Sequence, residues 1–217
     1  MMGGMSSRPA GRSVKISDDE RGGWSSDRPR RDGAPPRPAD LTVHCRVLRP
    51  TDRLRYSPGS LVLVSCASAA ELDAFLDRLI DERGAVLSLR KVKALLSGRV
   101  GAEELDERAR ELLASAVEKR LEGRQTVVLA TEGFSPEERE PFLRVAAAQR
   151  RPRHLILIET AREHVADDEL APLNELRRAL DAGELGNEGI QTALRLGGGS
   201  AAEVKRILFR PPPREDE

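Results

Sequence analysis

One stretch of this 217-residue chain has the pattern from which phosphate sites are built. The letters LVLVSCASAAELDAFLDRLI, residues 61–80, place a short apolar run before small residues and then an amphipathic helix. A strand, a tight loop and a helix N-terminus in that order can hold an anion, because backbone N–H groups and the helix dipole converge on it. The chemistry to be tested is therefore nucleotide binding and phosphoryl transfer.

The residues that a working phosphate loop needs are replaced in this stretch. When the pattern G-x-x-x-x-G-K-[ST] is laid on the sequence, its first glycine falls on Ser65 and its second on Ala70. Its lysine falls on Glu71, and its serine or threonine falls on Leu72. The intervening positions are held by Cys66, Ala67, Ser68 and Ala69.

Each replacement removes one contribution to phosphate binding. Glycine adopts the backbone angles that turn several N–H groups toward one anion, whereas serine and alanine resist those angles. At ~4 Å and an effective dielectric of about 20, a unit charge pair is worth about 4 kcal/mol, and Glu71 gives it the repulsive sign. Leu72 has no hydroxyl with which to hold Mg²⁺. These residues alone also fit an ordinary strand-to-helix turn.

Ser68 and Glu71 match a different pattern, S-x-x-E, which is that of a capping box. We expect Ser68 to accept a hydrogen bond from the Glu71 backbone N–H, and the Glu71 carboxylate to accept one from the Ser68 N–H. A helix N-terminus favours an anion, and here that anion would be the Glu71 side chain. The loop is thus predicted to be stable without a ligand, with the phosphate position occupied.

Predicted strands and helices alternate around this loop. Apolar runs or alternating patterns predict strands at 41–49, 60–64, 85–89, 125–131, 154–160, 190–196 and 205–209. Helical periods and caps predict helices over 72–80, 102–121, 135–149 and 167–183. This alternation implies a mainly parallel sheet with helices on both faces, in which ligands bind at the carboxyl ends of the strands. We therefore expect one three-layer α/β domain over 41–210.

Three local features are predicted in more detail. The first strand should place Leu41, Val43, Cys45 and Val47 on one face. The long helix should bury Leu105, Leu112, Leu113, Ala116 and Val117. The helix that starts with SPEE should have Ser135 as its N-cap and Pro136 in its first turn, with Glu138 reaching back to close a capping box.

The composition limits the classes of partner and compartment. The 36 basic and 36 acidic residues give a formal net charge of zero, which offers no overall attraction to nucleic acid. Residues 1–40 and 211–217 are polar and rich in Gly, Pro or charge, so we expect disordered tails. No apolar run approaches the ~20 residues of a membrane helix, and Cys45 and Cys66 do not suggest a disulfide framework. We expect a cytoplasmic protein without a membrane segment.

Five segments, in this order, resemble the bacterial polynucleotide-kinase-like P-loop family. They are GSLVLVSCASAAELDAF (59–75), VLSLRKVKALLSG (86–98), KRLEGRQTVVLATEGFSPEEREPFLRVAA (119–147), HLILIE (154–159) and EGIQTALRL (188–196). The pieces RLEGRQTVV and SPEER are the most specific of these. The resemblance implies a P-loop NTPase-like fold and, in active members, ATP- and Mg²⁺-dependent phosphoryl transfer.

The family's catalytic residues are not found at the matching positions. Its acceptor-activating DxxR motif falls on Arg90 and Lys93, which replace the aspartate and the arginine. Its DATN motif falls on Leu129 and Glu132, which replace the aspartate and the asparagine. Because phosphoryl transfer depends almost wholly on positioned charges and Mg²⁺, these changes predict a P-loop fold that has lost its chemistry.

The sequence therefore favours a catalytically inactive kinase-like module that binds or scaffolds a partner, with no cofactor, metal or catalytic residue. The partner is not identified, although a protein is the class we expect, and nucleic acid is disfavoured. Two alternatives stay open. One is a divergent ATP-dependent polynucleotide or small-molecule kinase that still binds nucleotide, and the other is a nucleic-acid-binding protein that keeps the family's substrate surface.

Overall fold

The structure is a computed structural model that describes residues 41–197 and 199–210. The two predicted tails, 1–40 and 211–217, lie outside these ranges. The strands are β1 (Arg46–Leu48), β2 (Arg53–Tyr56), β3 (Leu61–Cys66), β4 (Val86–Ser88), β5 (Val127–Ala130), β6 (Arg153–Ile158), β7 (Thr192–Leu196) and β8 (Arg206–Phe209). The α-helices are α1 (Ala69–Leu79), α2 (Leu89–Leu96), α3 (Leu105–Glu122), α4 (Pro136–Ala148), α5 (Leu170–Asp181) and α6 (Ser200–Glu203). Short 3-10 helices lie at Arg83–Ala85, Arg162–His164 and Glu184–Glu188.

Six strands form one parallel sheet in the order β1-β7-β6-β3-β5-β4. Strands β2 and β8 form a separate two-stranded parallel sheet. The predicted α/β fold, with a mainly parallel sheet flanked by helices, is confirmed. Within the described ranges, no helix combines the length and the apolar composition of a membrane-spanning segment.

The direction of each connection decides which face of the sheet each helix covers. Right-handed crossovers that move in opposite directions along a sheet must lie on opposite faces. The connection from β3 to β4 moves toward one edge, and its helix α1 packs on one face. The later connections move back toward the other edge, and α3, α4 and α5 pack on the opposite face.

Strand β3 is buried on both faces and therefore reads as a continuous apolar run. Leu61 and Leu63 point into the core formed with α3, α4 and α5. Val62, Val64 and Cys66 point into the core formed with α1. This is the packing expected of a central strand in a parallel sheet, and it holds the segment after Val64 at the middle of the carboxyl edge.

The small β2–β8 sheet packs on the same face of the main sheet as α1. Its residues Leu54, Tyr56 and Ile207 pack in the same core as α1. The Tyr56 ring lies 4.7 Å from the ring of His154, centroid to centroid, at the start of β6. Strand β2 was not predicted from sequence, and the predicted strand at 205–209 pairs with β2 rather than with the main sheet.

The predictions for the first strand and the long helix are partly wrong. Strand β1 covers only Arg46–Leu48, and Val47 is 43% exposed, because β1 is the edge strand of the sheet. Cys45 is buried in the core as expected. Helix α3 buries Ala109, Leu113, Val117 and Leu121, a strict i, i+4 series. Leu112 lies off that line and is 46% exposed.

The helix that begins at Pro136 starts where it was predicted to start, but without the predicted capping box. The Ser135 side chain makes no capping hydrogen bond to the helix. The Glu138 carboxylate instead lies against Gly133, whose backbone N–H acts to lower the pKa of that carboxyl. A Cβ atom at Gly133 would lie 2.3 Å from the Glu138 Oε2 atom, so only glycine permits this approach.

Candidate functional site

The topology places one candidate site at the carboxyl end of β3. The chain leaves β3 for α1 on one face, whereas it leaves the neighbours β5 and β6 for α4 and α5 on the other face. Such a switch point opens a crevice between strands, and open α/β sheets bind their ligands there. We call the region formed by residues 65–72, Thr131 and Thr160 the β3 crevice.

The turn between β3 and α1 is short. Strand β3 ends at Cys66 and α1 begins at Ala69, so the turn consists of Ala67 and Ser68. Ser68 is the N-cap, and its Oγ accepts a hydrogen bond of 3.3 Å from the Glu71 backbone N–H. This half of the predicted capping box is confirmed. The helix N-terminus is therefore capped by a side chain of the turn itself.

The other half of the predicted capping box is wrong. The Glu71 carboxylate accepts a hydrogen bond of 3.3 Å from the Thr160 hydroxyl rather than one from the Ser68 backbone. Its second oxygen lies 3.4 Å from Nδ1 of His164. Thr160 and His164 belong to the segment after β6, so Glu71 ties the start of α1 to the neighbouring strand's loop.

A hydroxyl pair bridges β3 and β5. The Ser65 Oγ and Thr131 Oγ1 atoms are 2.7 Å apart and both residues are buried. Thr131 also donates its backbone N–H to the Val64 carbonyl at 3.0 Å. A buried hydroxyl that finds a partner costs little, whereas one left unpaired costs about 1–3 kcal/mol. The pair therefore stabilises a closed contact on this side of the crevice.

A second pair bridges β3 and β6. The Cys66 sulfur lies 3.2 Å from the Thr160 hydroxyl oxygen, and Thr160 in turn donates to Glu71. Burial raises the pKa of the Cys66 thiol, and the nearby Glu71 and Glu159 charges raise it further, while hydrogen bonds to Thr160 and Ser68 oppose the rise. The thiol is therefore protonated at neutral pH and is not an activated nucleophile.

An ion-pair cluster stands beside the second bridge. Glu159 follows β6 directly and pairs with Arg177 of α5 and Arg195 of β7. Burial alone would raise the pKa of Glu159, but hydrogen bonds and charges from the two arginines hold it below its usual value. Arg195 also lies 3.0 Å from Asp181. These arginines are neutralised by protein carboxylates.

Of the four positions that match the family's catalytic motifs, Leu129 and Glu132 line one cleft, whereas Arg90 and Lys93 are held in separate ion pairs. Arg90 pairs with Asp73 of α1, and Lys93 pairs with Asp106 of α3 at 3.0 Å. Leu129 is buried in the core. Glu132 is exposed and lines a separate cleft. The two cations are thus used in ion pairs with carboxylates of the protein.

That separate cleft, which we call the β5 cleft, opens at the carboxyl end of β5. It has a volume of about 450 Å³. It is lined by Leu89, Arg110, Leu113, Ala114, Leu129, Ala130, Thr131, Glu132, Glu137, Glu138, Pro141 and Phe142. The β3 crevice and the β5 cleft therefore share Thr131.

Sequence reasoning missed the residues that close the crevice. Thr131 and Thr160 each lie within two positions of the end of a buried strand. In a parallel sheet, polar residues at such ends meet at one edge. That placement is the signal that could have identified them, although it does not tell which of them bond to one another.

Comparison with known proteins gives little direct guidance. No protein-family model matches the chain, and no curated protein matches it. A crystal structure described as "a putative kinase from Chloroflexus aurantiacus" is similar over 65% of this chain and 86% of its own, with 14% sequence identity and a TM-score of 0.42. At that similarity the likeness decides neither the fold nor the function, and the fold assignment rests on the strand order.

Proposed function

We propose that this chain is a kinase-like α/β module that binds a partner, does not bind nucleotide and transfers no phosphoryl group. The observation that carries the proposal is the arrangement at the β3–α1 turn. Ser68 caps the helix, and the Glu71 carboxylate lies at its first turn, bonded to Thr160. One backbone N–H at this helix start, that of Glu71, is capped by Ser68, and the Glu71 carboxylate, 43% exposed, puts a negative charge near the position where a P-loop kinase holds a phosphate.

The charges around the crevice support the same conclusion. Besides burial, the negative charge of Glu71 raises the pKa of the Cys66 thiol, so this carboxylate acts electrostatically at this point. A triphosphate would bring further negative charge to the same place, with a repulsion of about 4 kcal/mol per unit charge pair at ~4 Å and an effective dielectric of about 20. The nearby Arg177 and Arg195 are already paired with carboxylates.

The bridges across the crevice are a second, independent support. Ser65 with Thr131, and Cys66 with Thr160, join β3 to both of its neighbours at the edge where ligands bind in this type of sheet. These bonds use polar groups at the carboxyl edge that would otherwise be available to a ligand. We infer that the partner binds to a surface of this fold other than the β3 crevice.

Calorimetric titration with ATP, with and without Mg²⁺, tests the proposal. We expect no saturable heat up to millimolar nucleotide, and no release of phosphate on long incubation. Adenosine diphosphate and pyrophosphate serve as smaller ligands that need less room. Micromolar binding of any of these ligands, or release of phosphate from ATP above the rate in buffer, would contradict the proposal and favour the divergent-kinase alternative.

A titration with a labelled oligonucleotide at several salt concentrations tests the nucleic-acid alternative. Phosphate contacts release counterions, so specific or non-specific binding must weaken steeply as salt rises. We expect no binding at moderate salt, because the chain has no net charge. Salt-dependent binding with a submicromolar Kd at low salt would favour the nucleic-acid alternative over a partner-binding module.

A further inference from the structure

The β5 cleft offers a binding site that the β3 crevice does not explain. Its volume of about 450 Å³ lies within the roughly 300–1,000 Å³ of typical small-molecule sites. Much of its lining is apolar, from residues of α2, α3, β5 and α4. These are Leu89, Leu113, Ala114, Leu129, Pro141 and Phe142. Such walls favour the apolar body of a ligand.

Among the charged residues that line the cleft, carboxylates outnumber cations. Three of them are carboxylates, Glu132, Glu137 and Glu138, and one is a guanidinium, Arg110. All four are exposed, whereas Leu113 and Leu129 are buried, so the charged groups lie toward solvent and the apolar groups lie deeper. The Arg110 guanidinium lies 4.0 Å from Asp106, which partly neutralises it. The cleft is therefore complementary to a cation.

Glu138 lies close enough to Glu132 and Glu137 to respond to their charges. Burial raises the pKa of Glu138, and the charges of Glu132 and Glu137 raise it further, against the opposing effect of Arg139. A positive ligand group placed among them would relieve this repulsion. The Glu138 carboxylate lies against Gly133, at this side of the turn.

We propose that the β5 cleft binds an organic cation with an apolar body, an amine or a guanidine that carries an alkyl or aryl group. Its apolar part packs against Leu113, Leu129 and Phe142. Its cation lies among the three carboxylates. The site does not depend on the proposed loss of nucleotide binding, because it lies beside the β3 crevice and shares only Thr131 with it.

Three probes with one apolar body and different charges test the proposal. They are 4-phenylbutylamine, 4-phenylbutanol and 4-phenylbutyric acid, titrated into the full chain and followed by calorimetry and by amide chemical shifts. We expect the amine to bind at least about tenfold more tightly than the acid, with the alcohol between them. Its affinity should fall as salt is added.

Variants locate the binding. Ala114 is exposed on α3 and lines the cleft, so Ala114→Trp fills the cleft without disturbing the core. Glu132→Gln removes one carboxylate, and Arg110→Gln removes the opposing cation. Glu118→Gln is the matched control, because Glu118 is an exposed glutamate of α3 outside the cleft.

We expect Ala114→Trp to abolish binding of the amine, Glu132→Gln to weaken it severalfold, Arg110→Gln to strengthen it, and Glu118→Gln to leave it unchanged. The proposal is overturned if none of the probes binds, or if the acid or alcohol binds as tightly as the amine. It is also overturned if the amine still binds to Ala114→Trp. Self-association of the chain that Ala114→Trp abolishes would overturn it as well, because a second copy would then fill the cleft. If Ala114→Trp does not fold, the Glu132→Gln and Arg110→Gln pair decides.

Discussion

The β3 crevice and the β5 cleft lie at the same edge of one sheet and share Thr131, yet they differ in what fills them. In the crevice, polar side chains at the end of β3 and in the segments after β5 and β6 bond to each other, and Glu71 of α1 joins them. In the cleft, carboxylates and apolar groups line about 450 Å³ of open space. At one edge of the sheet, polar groups therefore bond to one another at one position and line an open cleft at the next.

The largest effect should come from the ion pair that anchors α4, the wall of the cleft. Arg139 is 1% exposed and makes two hydrogen bonds to Glu188, of 2.9 and 3.0 Å. Arg139→Met should cost about 3 kcal/mol or more in urea unfolding, because it leaves the Glu188 charge without its partner. The double variant Arg139→Met/Glu188→Leu should recover much of that loss. A single-variant cost below about 1 kcal/mol would contradict this account of the wall.

Acidification should lower the stability of the protein through His154, which lies at the amino end of β6, away from the crevice at the carboxyl ends of the strands. His154 is buried against Tyr56, and burial lowers its pKa to about 4. An unfolded His has a pKa near 6.5, so the unfolded state takes up the proton first as pH falls. Stability should drop by roughly 3 kcal/mol between about pH 6.5 and 4 and then level off, as far as this residue is concerned.

His154→Phe is the variant that checks this assignment by urea unfolding at a series of pH values. It should remove most of the drop, since the hydroxyl bridges of the crevice do not titrate. If His154→Phe loses as much stability as the natural chain over the same pH range, then His154 does not cause the drop. The carboxylates of the β3 crevice or the β5 cleft would then be responsible.

The two bridges of the crevice should differ in strength. Thr131→Val leaves the fully buried Ser65 hydroxyl without this partner and should cost about 1–3 kcal/mol. Adding Ser65→Ala should restore part of the loss, because an apolar pair replaces a hydrogen-bonded one. Thr160→Val acts at a less buried position and should cost under about 1 kcal/mol. Equal costs for the two threonine variants would break this distinction.

The smallest effect should follow from reversing the charge at the helix N-terminus. Glu71→Lys removes the acceptor for Thr160 and puts a cation where the dipole favours an anion, at a cost of about 0.5–1 kcal/mol. It also restores the lysine of a phosphate loop. We expect no gain of ATP binding by calorimetry, because the two-residue turn and the bridges remain. A gain to micromolar affinity would show that charge alone had closed the site.

The parts of the fold that sequence predicted are those fixed by local chemistry. The central strand β3, the helix α1 and its Ser68 cap follow from residues within a few positions of each other. The bridges between Ser65 and Thr131 and between Cys66 and Thr160 join residues 66 and 94 positions apart. One sequence does not show such distant pairs, and it therefore suggested the wrong partner for the Glu71 carboxylate.

The cleft could not be predicted for a related reason. The sequence assigned Glu138 to a capping box and Glu132 to the position of the family's asparagine, and it gave Glu137 no role. Only the packing of α3 against α4 and the end of β5 places them around an apolar space. The helix α2 and the strand β2 were also missed, because short elements carry too few residues to show a period.

Amide chemical shifts recorded during separate titrations with ATP–Mg²⁺ and with 4-phenylbutylamine test the contrast between the two regions most directly. ATP should leave the amides of residues 65–72 unchanged up to millimolar concentration, while the amine should shift those of 129–138 and of Ala114. Saturable ATP shifts at residues 65–72 in the micromolar range would contradict this prediction.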